Sequence, residues 1–71
     1  MPLAMAMKGE TRIITGFRGK EEMKRHLKDL GFIKGEQVHV AGENAGGMIC
    51  VVKGVRVALN RGLADKIIVA D

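Results

Sequence analysis

Seventy-one residues suffice for one domain and no more. A core of that size supplies only about 3–5 kcal/mol of net stability, so a deep substrate cleft would consume packing the domain needs, which argues against an enzyme. At 46% hydrophobic and 28% charged residues the chain has an ordinary globular composition, which argues against disorder.

The net charge of +4 is unevenly placed: residues 1–35 carry eight Lys/Arg against four acids, and residues 36–71 carry four against four. The excess in the first half suits an acidic protein surface, nucleic acid or anionic lipid as partner, or it is simply a solvated face. The lone Cys50 cannot form an internal disulfide and fits a reducing compartment. The opening "MPLAMAM" is apolar but too short to span a bilayer, and it lacks a basic n-region. It is expected to turn and to pack Leu3 and a methionine on the edge of the core.

"TRIITGF" (11–17) is β-branched and predicts a strand, with Ile13, Thr15 and Phe17 on one face and Ile14 on the other. "KEEMKRHLKDLG" (20–31) has the helical period: Met23, Leu27 and Leu30 form one apolar stripe. Glu21 and Glu22 complement the dipole of its first turn, and Glu21–Arg25 is a favourably ordered ion pair one turn apart. Gly31 is placed to end the helix with positive φ, after which Phe32 or Ile33 folds back onto it. Lys34-Gly35 signals a turn into a strand in which Val38 and Val40 point one way and Gln37 and His39 the other. "ENAGG" (43–47) is expected as a flexible loop. "MICVVKGVRVALN" (48–60) predicts two strands around a tight turn at Lys53-Gly54, because glycine there accepts positive φ. Val55, Val57 and Leu59 alternate with Arg56, Ala58 and Asn60. One helical turn with Ala64 buried follows at 61–66, and "IIVA" (67–70) closes the chain as a strand. With no repeat, linker or low-complexity tract, residues 1–71 form a single domain. The expected fold is mostly β: a small closed or nearly closed barrel of about five short antiparallel strands, one inserted helix (about 20–30) and a one-turn helix near 61–65. Glycines 16, 42, 47 and 54 suit the bends of such a barrel.

Chemistry-bearing residues are few. His26, His39 and Cys50 are the possible ligands, without CxxC, HxxxH or HExxH spacing. His39 and Cys50 could approach across paired strands; the plainer reading has His39 facing solvent and Cys50 filling core. The chain contains no serine, Thr11 and Thr15 lie in or beside the first strand, and "GENAGG" is not followed by Lys-Ser or Lys-Thr. No catalytic residue, metal site or cofactor is expected, and the domain reads as a binding module. Nucleic acid is a rival partner, since a basic helix on a small barrel can grip phosphates. Single-strand binders stack bases on aromatic rings, and here there are only two Phe, both at positions suited to a core. The stretch "KGEQVHVAGENAGGMICVV" nonetheless resembles the glycine-turn, strand, loop, strand pattern of KOW-type barrels of ribosomal and transcription proteins.

"LKDLGFIKGEQVHV" (27–40) resembles the signature of the ferrous iron transport protein A (FeoA) family: helix, L-x-D/E-L-G-F, a short turn, Gly, then a V-x-V strand. "GETRIITGFRG" is similar to the family's first strand, and "MICVVKGVRVALNRGLADKIIV" to its hairpin, one-turn helix and closing strand. Together they cover residues 3–70 in family order. The resemblance implies an SH3-like barrel with an inserted helix, in the cytoplasm. It also implies association with FeoB, a ferrous iron transporter with a cytoplasmic GTPase domain, as an accessory or regulatory partner. Similar domains occur at the C-terminus of iron-dependent repressors as interaction modules. Many relatives carry a Pro and an Asp in the loop before the third strand; here it reads "ENAGG", so loop contacts are not carried over. Gly31, Gly35 and Gly54 are the expected structural turns. Lys24, Arg25 and Lys28 form the expected partner-binding face, set against the alternative of a merely solvated helix face. A direct iron carrier is a third reading, and pairing of two copies through exposed strand edges a further expectation.

Overall fold

A computed structural model describes residues 1–71. The elements are a 3-10 turn at Leu3–Met5, strand β1 at Thr11–Phe17, helix α1 at Glu21–Asp29, strands β2 at Gln37–Asn44, β3 at Gly47–Val52 and β4 at Val55–Asn60, helix α2 at Arg61–Asp65 and strand β5 at Ile67–Val69. All strand pairs are antiparallel, in the order β4-β3-β2-β1-β5. The two outermost strands supply Leu59, Ile67 and Val69 to the same buried cluster as the central strands, so the sheet curls around one core. The mostly-β barrel with an inserted helix and a one-turn helix is as expected.

The curl depends on β1 changing partners along its length. Residues Thr11 to Ile13 pair with β2, whereas Ile14 to Phe17 pair with β5. A register shift between Ile14 and Gly16 marks the crossing. This shift corrects the expected strand faces. Ile14 lies opposite Val69 and Phe17 opposite Ile67, both buried partners, so Phe17 joins the face of Ile14 and leaves Ile13 outside. Strict alternation places a residue wrongly after any bulge. A second shift, between Val40 and Gly42, bends β2.

α1 stops where Gly31 was expected to stop it. Gly31 has φ +104, its N–H donates to Lys28 O at 2.9 Å, and the N–H of Phe32 donates to Leu27 O at 3.0 Å. This is the paired hydrogen bonding of a left-handed helix end. It throws Phe32 back over the helix, so that Leu27 and Phe32 are both fully buried while Ile33 stays exposed. Met23 and Leu30 pack on the rim of the core. Gly35 (φ +93) makes the next turn, where its N–H donates to Ile14 O at 2.8 Å.

The segment 43–47 is not a flexible loop. Glu43 pairs with Met48 and Asn44 with Gly47, which leaves Ala45 and Gly46 as a two-residue hairpin turn. Asn44 Oδ1 accepts the N–H of Gly46 at 3.0 Å, a side-chain turn that closes the corner locally. Gly47 then passes close beneath β4: a Cβ built there would lie 2.0 Å from Leu59 O and 2.8 Å from Asn60 Cα. The β3–β4 corner is as expected, with φ +51 at Lys53 and +76 at Gly54. Ala64 is buried in α2, which Asn60 caps: the Asn60 Oδ1 accepts the N–H of Leu63 at 2.8 Å. At the N-terminus Leu3 is fully buried and Met1 packs against the core, while Met5 and Met7 point outward.

Three substitutions test this account. Gly31→Ala keeps every contact but forces a side chain into positive φ, so urea unfolding should show a loss of about 1–3 kcal/mol. Gly16→Ala, with open space around it, should cost no more than about 0.5 kcal/mol. Gly47→Ala should lose about 3 kcal/mol or more, because the atoms it meets are backbone and cannot turn aside. A Gly47→Ala protein as stable as the parent would mean that β3 and β4 are not this close.

Candidate partner-binding site

α1 is held to the barrel along one stripe only. At about 100° per residue, Met23, Leu27 and Leu30 fall within one narrow sector of the helix. Lys24, Lys28 and Arg25 fall on a neighbouring arc of roughly 100° that faces away from the core. Arg25 and Lys28 are exposed, and Lys24 is half-buried. The structure therefore brings the three expected cations onto one surface. One expected pairing differs: Glu21 Oε1 lies 3.6 Å from Lys24 Nζ, and no ion pair joins Glu21 to Arg25. The i,i+3 partner wins over the i,i+4 partner, so Lys24 is engaged and Arg25 and Lys28 are left without an ion-pair partner. An exposed pair such as Glu21–Lys24 adds little stability, so the surface is free to serve another purpose.

Beside this arc runs an open groove of about 830 Å³ between α1 and α2. Met23 and Leu63 supply apolar surface, and Lys20, His26 and Lys66 supply three basic groups against the single acid Glu22. The groove is built by backbone ties: the N–H of Arg18 donates to Lys66 O at 2.7 Å, which anchors the start of the helix to the end of α2. Reading along the chain finds α1 but not this groove, because its two walls are about forty residues apart in the sequence. The only local signal is the Asn60 cap that places α2.

His26 lies in that groove, about 100° around the helix from Leu27. His39 and Cys50 do not meet. His39 pairs with Val51 and Cys50 with Val40, so the two side chains leave opposite faces of the sheet. His39 Nδ1 lies 2.8 Å from Thr11 Oγ1 on the outer face. Cys50 is fully buried, and desolvation pushes its thiol up to about 11, so it stays protonated near neutral pH and makes a poor metal ligand. No group of three or more His, Cys, Asp or Glu side chains stands close enough to share a metal ion. Phe32 is fully buried and Phe17 packs against the core, so neither ring offers a stacking platform for a base.

One acid outside this region is perturbed. Glu10 accepts the N–H of Met7 and the guanidinium of Arg12, each at 2.6 Å, and both hold its carboxyl below the usual range. This clip shapes the turn before β1 and faces neither the groove nor the cationic arc. No helix is long and apolar enough to cross a membrane.

The FeoA domain family matches the chain over residues 1–71. A search of curated proteins finds no match. Among solved structures, the chain is similar to an iron uptake regulatory protein, FeoA, at 30% identity and a TM-score of 0.89, over 97% of this chain and 92% of that one. It is also similar to FeoA of Stenotrophomonas maltophilia, solved with zinc and described as a prokaryotic SH3 domain protein: 25% identity, TM-score 0.84, 99% of this chain and 89% of that one. A FeoA-like protein of Clostridium acetobutylicum shares the fold at 18% identity and a TM-score of 0.89, over 99% of this chain and 84% of that one. The chain has an SH3-like barrel and belongs to the FeoA family, which is associated with ferrous iron transport.

Proposed function

We propose that this domain is a cytoplasmic accessory protein of ferrous iron uptake that docks the outer face of α1 onto the cytoplasmic region of a FeoB-type transporter, with no catalysis of its own. The observation that carries this reading is the exposed arc of Arg25 and Lys28, neither of which forms an ion pair within the domain, on a helix whose opposite stripe is locked into the core. Family membership supplies the transport context. A rigid scaffold that presents free positive charge suits recognition of an acidic protein surface, with charge steering the encounter and adjacent apolar area supplying affinity. Met23 and Leu63 in the neighbouring groove provide such area. Iron is then cargo of the transporter and not a ligand of this domain. The divergence of His39 and Cys50 and the protonated state of Cys50 support that division.

Two experiments test the proposal. Arg25→Ala with Lys28→Ala should weaken binding to the isolated GTPase domain of the transporter about fivefold at low salt and less than about twofold near 0.5 M salt. Calorimetric titration at both ionic strengths reads this, and urea unfolding should be unchanged because both side chains are exposed. Unchanged affinity would remove the α1 arc from the interface. Anaerobic calorimetry with ferrous iron should give no stoichiometric binding heat; tight one-to-one binding would make the domain a carrier after all.

A further inference from the structure

The two edges of the sheet are treated differently. β5 is covered: the N–H of Val69 donates to Met1 O at 2.7 Å, the terminal ammonium donates to Val69 O at 2.8 Å, and Pro2 bridges Ile68. β4 has β3 as its only hydrogen-bonding neighbour. No other backbone hydrogen bond reaches residues 55–59. The two-residue turn at Lys53-Gly54 makes Val52 and Val55 a hydrogen-bonded pair, so backbone groups along β4 alternate from there. Val55, Val57 and Leu59 bond inward to β3. Arg56 and Ala58 direct both N–H and C=O away from the sheet. A β edge normally carries a device that prevents pairing; β4 has no proline or bulge, and its one device is the positive charge of Lys53 and Arg56, which repels another basic edge and not an acidic strand.

Next to this edge lies a shallow groove of about 550 Å³, between β4 and the C-terminal end of α1. Leu30, Val55 and Val57 line it, and Val55 is 58% exposed although it lies on the inward side of its strand. Lys53 and Arg56 stand at its rim against the single acid Asp29. Free backbone donors and acceptors beside an apolar trough and a helix end make a site that an extended strand can complete.

We infer that the β4 edge is a strand-addition site for an extended peptide segment of a partner protein, one that alternates apolar and acidic residues and pairs antiparallel with Arg56 and Ala58. In that pairing the residues opposite Arg56 and Ala58 share their outer face, where acidic side chains meet Arg56. The intervening apolar residues lie over Val55, Val57 and Leu30. A second copy of this chain fits less well: it would bring Lys53 and Arg56 of two chains, each of net charge +4, to one edge. This surface is separate from the α1 arc, and the inference stands whichever partner that arc meets.

The test is an amide chemical-shift titration of the labelled full chain with a capped hexapeptide of alternating valine and glutamate. Saturable shifts centred on Arg56 and Ala58, with slowed exchange of both amides, are expected. A peptide of the same composition in block order should produce none. N-methylation of the glutamates removes the N–H groups that face β4 and should abolish binding, whereas N-methylation of the valines should leave it intact. Ala58→Pro deletes an N–H that β3 does not use, so the spectrum should remain dispersed and the shifts disappear. If that variant does not fold, the methylated peptides still decide. Equal binding of all the peptides would reduce the effect to charge attraction and overturn the site. So would shifts of the Arg56 and Ala58 amides on simple dilution of the free protein without response to peptide, because a second copy would then occupy the edge.

Discussion

The end of α1 controls the rest of the molecule. A chain this short has one small core, and its largest fully buried side chain, Phe32, enters that core just after a helix that lies on the surface. The direction of the chain must reverse within two residues. Only the left-handed turn at Gly31 does this while satisfying the last carbonyls of the helix, through the bonds to Leu27 and Lys28. The same turn brings Phe32 and Leu27 into one cluster. Helix position, helix termination and core closure are therefore a single event, and the orientation of the cationic arc follows from it.

The barrel meets a different constraint, which is how five short strands surround so few side chains. The answer is local irregularity. β1 shifts register near Thr15 and β2 near Ala41, and each shift bends a strand that would otherwise lie flat. Gly47 lets β3 and β4 approach at a distance no side chain permits. These devices produce curvature without additional core residues. They also leave β4 as an edge, because the curled sheet ends before β4 reaches β5.

Sequence order and side-chain pattern predict most of this. The strands, α1, the Gly31 stop and the Lys53-Gly54 corner depend on residues close together in the chain, so their signals are local. Three features escaped. The Phe17 face depends on a bulge, and a bulge arises from the pairing of β1 with two partners. The turn at Ala45–Gly46 looked like a loop because two glycines suggest freedom, whereas the Asn44 side chain and the narrow gap under β4 fix it. The Glu21–Lys24 pair replaced Glu21–Arg25 because both spacings are favourable on a helix and rotamers decide between them. Of the candidate site, the three cations on α1 are readable from helical periodicity alone. The groove next to them is not, since Lys20 and His26 meet Asn60 and Lys66 only through the fold.

The division of labour over the surface has a physical cause. Every strand has side chains committed to the core on one face, and the N-terminal segment is committed to covering β5. α1 alone rests on the barrel by one stripe, so most of its circumference can change without disturbing the packing. Charge placed there costs little in folding and acts at a distance, which suits the first approach of a partner. Affinity needs surface that excludes water, and on this domain such surface lies near either end of the helix: the Met23–Leu63 groove by its start and the Leu30–Val57 trough by its C-terminal end. Under the proposed function, a partner steered by Arg25 and Lys28 would find apolar area toward both ends of the helix, and the barrel walls there are where a lasting contact would form.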